Sequence, residues 1–198
     1  DVVVRGDVDL DVHVHERDAT GMETLERLAE RAVEAGYEDR VTASHAFALA
    51  DAGDRLPAAL DRFRDARLDL VTCYQSTPTG MPIRECHGAG LTMAHGTDQF
   101  HDLWGAHGNL DPLEAMLVES LKLDGYSTNR GLRTLWDLVT AHGASVLDLE
   151  GYDVDPGTPA DLVVHSASSP EWAILENDTP DYVIKNGSIV AEDGVVKR

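Results

Sequence analysis

The chain has 198 residues, 42% of them hydrophobic, with 36 acidic against 16 basic side chains and a formal charge of −20. That apolar share supports a packed core in one large domain, with or without a small appendage. The strong negative charge excludes a surface built for nucleic acid or anionic membrane.

The acids are scattered, as at Asp51, Asp54, Asp61, Asp65 and Asp69, and not gathered into a tail. They read as a solvated shell of the halophile type, suited to a salt-rich cytoplasm where screening relieves self-repulsion. Cys73 and Cys86 are too few for a disulfide framework and form no CxxC pair, which fits a reduced, cytoplasmic setting. No stretch approaches the ~18 apolar residues of a membrane span, and no signal peptide is evident. The chain starts at Asp1 and runs directly into a strand-like stretch, so an upstream segment is expected.

In chain order, residues 9–15 alternate polar and apolar side chains as a strand does. Residues 20–35 follow as an amphipathic helix with Leu25, Leu28, Ala32 and Val33 on its apolar stripe, stopped at Gly36. Residues 40–44 form a short strand ending at His45. A helix over 56–67 leads into the apolar strand 68–73. Residues 90–94 give a further strand, closed by the Gly96-Thr97-Asp98 turn, and helices follow over 112–124 and 132–142. From Gly157 the texture changes. Residues 160–165 and 182–184 are strand-like, and Asn186-Gly187 is a strong hairpin signal before residues 188–191.

Strands alternating with helices indicate parallel βαβ units, and four strands in roughly a hundred residues is half the count of a (β/α)8 barrel. The fold class is therefore α/β: a partial barrel over residues 1–148 and a small β unit over 149–198.

Potential chemistry clusters where barrel enzymes keep it, at the C-terminal ends of strands. His13 and His15 share one strand face, with Glu16 next to them. Imidazole suits zinc, iron or manganese, and a neighbouring carboxyl group can move protons. The same pair also describes a solvated edge strand. His45 ends the next strand, where a structural role is equally open. Asp98 follows a third strand and could ligate a metal, act as a base or cap a helix. Three such groups in order, each just beyond a strand, point to one converging site. His87, His95, His101 and His107 are expected to be solvated, and Cys73 to be a small buried apolar residue. Trp104, six positions after Asp98, is the tryptophan nearest the presumed pocket.

At these residues the sequence resembles the cytosine deaminase branch of the amidohydrolase superfamily. The matching stretches are DVHVHERD (11–18), RVTASH (40–45), GTDQFHDLW (96–104), PGTPADLVV (156–164) and YVIKNGSIVA (182–191). The resemblance implies a barrel with one divalent metal ion, zinc or iron. It makes His13 the fifth-strand ligand and Glu16 the acid that shuttles a proton to a ring nitrogen. His45 becomes the sixth-strand histidine that orients or helps deprotonate the attacking water, and Asp98 the eighth-strand ligand and base.

His13-Val14-His15 imitates the family's first-strand pair, but only 85 positions separate His13 from Asp98, which fits strands five to eight. His15 is then a neighbour of the site. Gln99 stands where similar bacterial cytosine deaminases often carry Asp or Asn near the substrate, so the implied substrate is a cytosine-like or other amino-heterocycle. Gln99 and Trp104 are the expected substrate contacts. The resemblance further implies a missing N-terminal barrel half, without which the chain should be inactive, and it is compatible with a homo-oligomer. Two alternatives stay open: cleavage of another C–N bond, as in an amide, cyclic urea or N-alkyl triazine, and a non-catalytic half-barrel subunit.

Overall fold

The computed structural model describes residues 2–73, 80–103, 105–106 and 108–197. It opens with a short helix, α1 (Val2–Gly6), where the sequence reads as strand-like. Valine favours strands only where a pleated surface receives it. Here the Val3 carbonyl instead accepts from the Val8 N–H at 3.2 Å and the Tyr37 hydroxyl at 3.2 Å, which closes the turn.

The body is an alternation of strand and helix. In order come β1 (Leu10–Val14), α2 (Ala19–Glu34), β2 (Val41–His45), α3 (Leu56–Asp65), β3 (Asp69–Thr72), α4 (Ile83–Gly88) and β4 (Met93–His95). The four strands form one parallel sheet in the order β1-β2-β3-β4. The register sets Val14 beside His45 and Thr72 beside His95, so the strands end together along one rim. β2 and β3 are the buried centre of this sheet. β1 is an edge strand whose Asp11 and His13 are exposed while Val14 is buried.

Helix α2 begins at Asp18, whose carboxylate accepts from the Thr20 N–H at 2.9 Å and supplies the N-cap. Its buried stripe is Met22, Leu25, Ala29 and Ala32, a 3-4-3 spacing that keeps one face on the sheet. Val33, expected on that stripe, is 45% exposed; it lies one residue beyond the face that the sheet covers. Helix α3 turns Ala59, Leu60 and Phe63 into the same core.

Beyond β4 come α5 (Pro112–Lys122), α6 (Asn129–Val139) and α7 (Ala141–Val146). Asp111 caps α5 and Thr128 caps α6, each side chain accepting a backbone N–H of the first turn. Met116, Leu132, Leu135 and Leu138 are fully buried with Leu70 and Met93, at about 1.5–3 kcal/mol for each large side chain removed from water.

The last part holds β5 (Leu162–Val164), α8 (Pro170–Glu176), β6 (Tyr182–Lys185), β7 (Ser188–Glu192) and β8 (Val195–Val196). Its strands form an antiparallel sheet in that order. Asn186 (φ 49°) and Gly187 (φ 75°) both take the left-handed conformation, as a two-residue type I′ hairpin requires. Helix α8 was not anticipated. Ser169 caps it and Pro170 starts it. Ala173 and Ile174 are buried in the common core, and Glu171 pairs with Arg133 of α6 at 3.0 Å. Among the described residues, no helix is long and apolar enough to cross a membrane.

Candidate active site

The rim formed by the ends of β1 to β4 carries the chemistry. His13 stands on the open edge, and His15 and Glu16 lie just past the end of β1; all three are exposed. His45 is the last residue of β2 and is 7% exposed. It and Ala46 both take positive φ, 72° and 50°, so the chain turns sharply over the rim. Phe47 packs against the His45 ring with centroids 5.0 Å apart.

Asp98 lies three residues beyond β4, at the apex of a tight turn. The Gln99 N–H donates to the Thr97 carbonyl at 2.8 Å, and Asp98 has φ 60°. A non-glycine residue held there is sparsely populated conformational space, of the kind that clusters at functional sites.

The side chains converge. His45 Nε2 and His13 Nδ1 are 3.1 Å apart, and the His15 ring centroid lies 4.2 Å from that of His45. On the other side of His45, Nδ1 is 3.8 Å from Cys73 Sγ, and the Cys73 thiol donates to Asp98 Oδ2 at 3.7 Å.

The direction of this chain follows from its acceptor end. A carboxylate only accepts, so the thiol hydrogen goes to Asp98. The His45 Nδ1–H then donates to sulfur, and the His13 Nδ1–H donates to His45 Nε2. This leaves the lone pair of His13 at Nε2, the form in which imidazole ligates metals. Burial holds the His45 pKa below the usual histidine range; the neighbouring His15 and His13 add to this, and Asp98 opposes it.

Two overlapping donor sets result, His13–His15–His45 and His45–Cys73–Asp98, with ligand atoms within 4.8 Å of one another in each. Nitrogen, sulfur and carboxylate donors at that separation fit a divalent transition metal. Of the residues that the sequence singled out, His45 is the one the two sets share, joined to His13 in the first and to Asp98 in the second. Glu16 lies beside them on the same rim but outside these sets, and half-buried Gln99 adjoins Asp98. Trp104 and His107 lie outside the described residues.

Cys73 is buried as expected, 2% exposed, but has partners on both sides. Its place one residue past β3 was the available signal, since His45 and Asp98 were found by that same rule. Nor are all the other histidines solvated. His87 is half-buried and its ring meets that of His142 at 4.6 Å, while burial pushes His95 down to about 3. His101 is exposed.

Residues 2–191 match a family model described as "Amidohydrolase family". N-isopropylammelide isopropyl amidohydrolase of Pseudomonas sp. (strain ADP) is 39% identical over 192 residues, 96% of this chain and 47% of the relative. Pterin deaminase of Rhizobium rhizogenes is 27% identical over 201 residues, 92% of this chain and 45% of the relative. The crystal structure of N-isopropylammelide isopropylaminohydrolase from Burkholderia multivorans superposes with a TM-score of 0.90 at 29% identity, covering 99% of this chain and 50% of that one. The chain therefore spans about half the length of the curated relatives that it matches.

Proposed function

The chain belongs to the amidohydrolase family, and from that premise we propose that it supplies strands five to eight of a barrel that hydrolytically removes an exocyclic amine from a small heterocycle. The observation that carries this reading is that His45, at the strand-end rim, adjoins His13 on one side and shares a donor set with Asp98 on the other. In this reading residues 1–148 are the barrel part and 149–198 the β unit, with α8 reaching back onto α6. A complementary barrel half supplies the remaining ligands and pairs with the open edge of β1.

His13, through Nε2, and Asp98 would hold one divalent ion, zinc or iron. Such an ion would polarise the attacking water and lower its pKa. Asp98 accepts a proton from this water. His45, kept neutral by burial, orients the water and accepts a proton at a ring nitrogen. Glu16, exposed on the rim, delivers a proton to the ring nitrogen next to the carbon under attack, so negative charge does not build up there. Gln99 and Trp104 contact the heterocycle. The bond from the ring carbon to the exocyclic nitrogen breaks, a ring carbonyl forms and the amine departs with the second proton of the water.

The first reading of the leaving group is ammonia from an amino-heterocycle such as a cytosine analogue, and the pterin deaminase relative supports it. The second is an alkylamine from an N-alkylamino triazine, favoured by the relative at 39% identity. Both use the same proton transfers. The non-catalytic alternative requires that no metal be held.

The role of Glu16 gives the test. In the barrel completed by its other half, Glu16→Gln should lower kcat by about 10²–10⁴, with bound metal unchanged. Asp98→Asn should lower both turnover and metal content. Loss of metal from Glu16→Gln would show that Glu16 is a ligand and that the assignment is wrong.

A further inference from the structure

The proposed mechanism leaves two donors of the rim unused, exposed His15 and buried Cys73. Cys73 Sγ lies between His45 Nδ1 and Asp98 Oδ2, at 3.8 and 3.7 Å. A tetrahedral centre with metal–sulfur bonds of about 2.3 Å and metal–nitrogen or metal–oxygen bonds of about 2.0–2.1 Å has ligand-to-ligand edges of about 3.5 Å. The two observed separations exceed that edge by only 0.2–0.3 Å, roughly the shift a bound ion would draw in. Two of the three donors are buried, Cys73 at 2% and His45 at 7% exposed, so their positions are set by packing. Three protein ligands and an open fourth position form a recurrent arrangement for zinc.

We propose that His45 Nδ1, Cys73 Sγ and Asp98 Oδ2 form a second, thiolate-bearing metal position that takes a soft divalent cation such as cadmium or zinc and rejects magnesium. Thiolate is the donor that makes this selection, because hard cations take oxygen ligands. The position shares Asp98 with the ion assigned to the reaction and rests on that reading only to this extent; it does not use His13. On binding, the S–H bond breaks, the metal–sulfur bond forms and the proton passes to the buffer. The His45 proton moves to Nε2, so that Nδ1 can ligate, and the His13 proton moves in step from Nδ1 to Nε2, so that His13 Nδ1 accepts the His45 Nε2–H. An ion held here withdraws His45 and Asp98 from proton transfer, which makes the position inhibitory.

The 198-residue chain, titrated with cadmium and followed by the ultraviolet thiolate-to-cadmium charge-transfer band, tests this directly. One band per chain should appear, undisturbed by excess magnesium. Cys73→Ser should abolish it and weaken cadmium binding at least tenfold, while Cys86→Ser and His13→Ala should keep it. Cys86 serves as the control because it is fully buried and its thiol is pushed up to about 12. Cadmium uptake without the band, a band that survives Cys73→Ser or dies with His13→Ala, or no cadmium uptake at all would each overturn the proposal. Its failure is separable from failure of the functional reading, which is decided by amine release and not by this band.

Discussion

Asp69 illustrates how one residue's surroundings set its cost. It begins β3, and burial, with Asp39 and Asp148 nearby, raises its pKa to about 6. The folded value lies above the unfolded one, so ionisation opposes folding at neutral pH, and that cost fades as pH falls. A displacement of this size corresponds to ~3 kcal/mol in full, and screening of a half-exposed group reduces it to ~1 kcal/mol. Asp69→Asn should therefore raise the urea midpoint at pH 7, with variant and parent converging below about pH 4; a gain that persists there would point to packing instead. At this scale the sequence was informative where a residue type and a strand end coincided, as at His13, His45 and Asp98. At Cys73 it foresaw the burial but not the partners, because a buried cysteine reads as a small apolar group until its neighbours in space are known. Those neighbours, His45 and Asp98, lie 28 and 25 positions away along the chain.

The β1–α2 turn is the element on which the placing of Glu16 depends, and Gly21 is what lets it close. A Cβ at residue 21 would stand 2.0 Å from the Glu16 carbonyl oxygen and 2.9 Å from the Ala48 Cβ. Backbone cannot yield as a flexible side chain does. Gly21→Ala should destabilise the chain by about 1–3 kcal/mol, read from its denaturation midpoint; an unchanged midpoint would mean that the turn is held less closely than described. Long elements were legible in the sequence because α2, α3, α5 and α6 each repeat an apolar face over ten or more residues. Helices α1, α4 and α8, of five, six and seven residues, span too few turns to establish a period. Only their tertiary contacts define them, as Ile174 does when it buries α8 against α5 and α6.

The whole molecule is a parallel four-stranded sheet with its rim of donors, tied by α8 to an antiparallel sheet. Among the described residues β1 and β4 each have one free edge, and unpaired edges of a parallel sheet invite a further strand. The parallel α/β character was legible from the alternation and spacing of strands and helices. The substrate was not: in the proposed reading Gln99 and Trp104 would select it together with groups of the complementary barrel half. The central claim is that this rim, completed by a complementary barrel half, hydrolyses a ring-carbon to exocyclic-nitrogen bond. Its most direct test is to incubate the completed, metal-loaded barrel with amino- and N-alkylamino-substituted pyrimidines, pterins and triazines, and to measure released amine against ring-carbonyl product. The expected result is a one-to-one yield of ammonia or alkylamine from at least one of these classes, lost on chelation and restored by metal. A folded, metal-loaded barrel that releases no amine from any of them would contradict it.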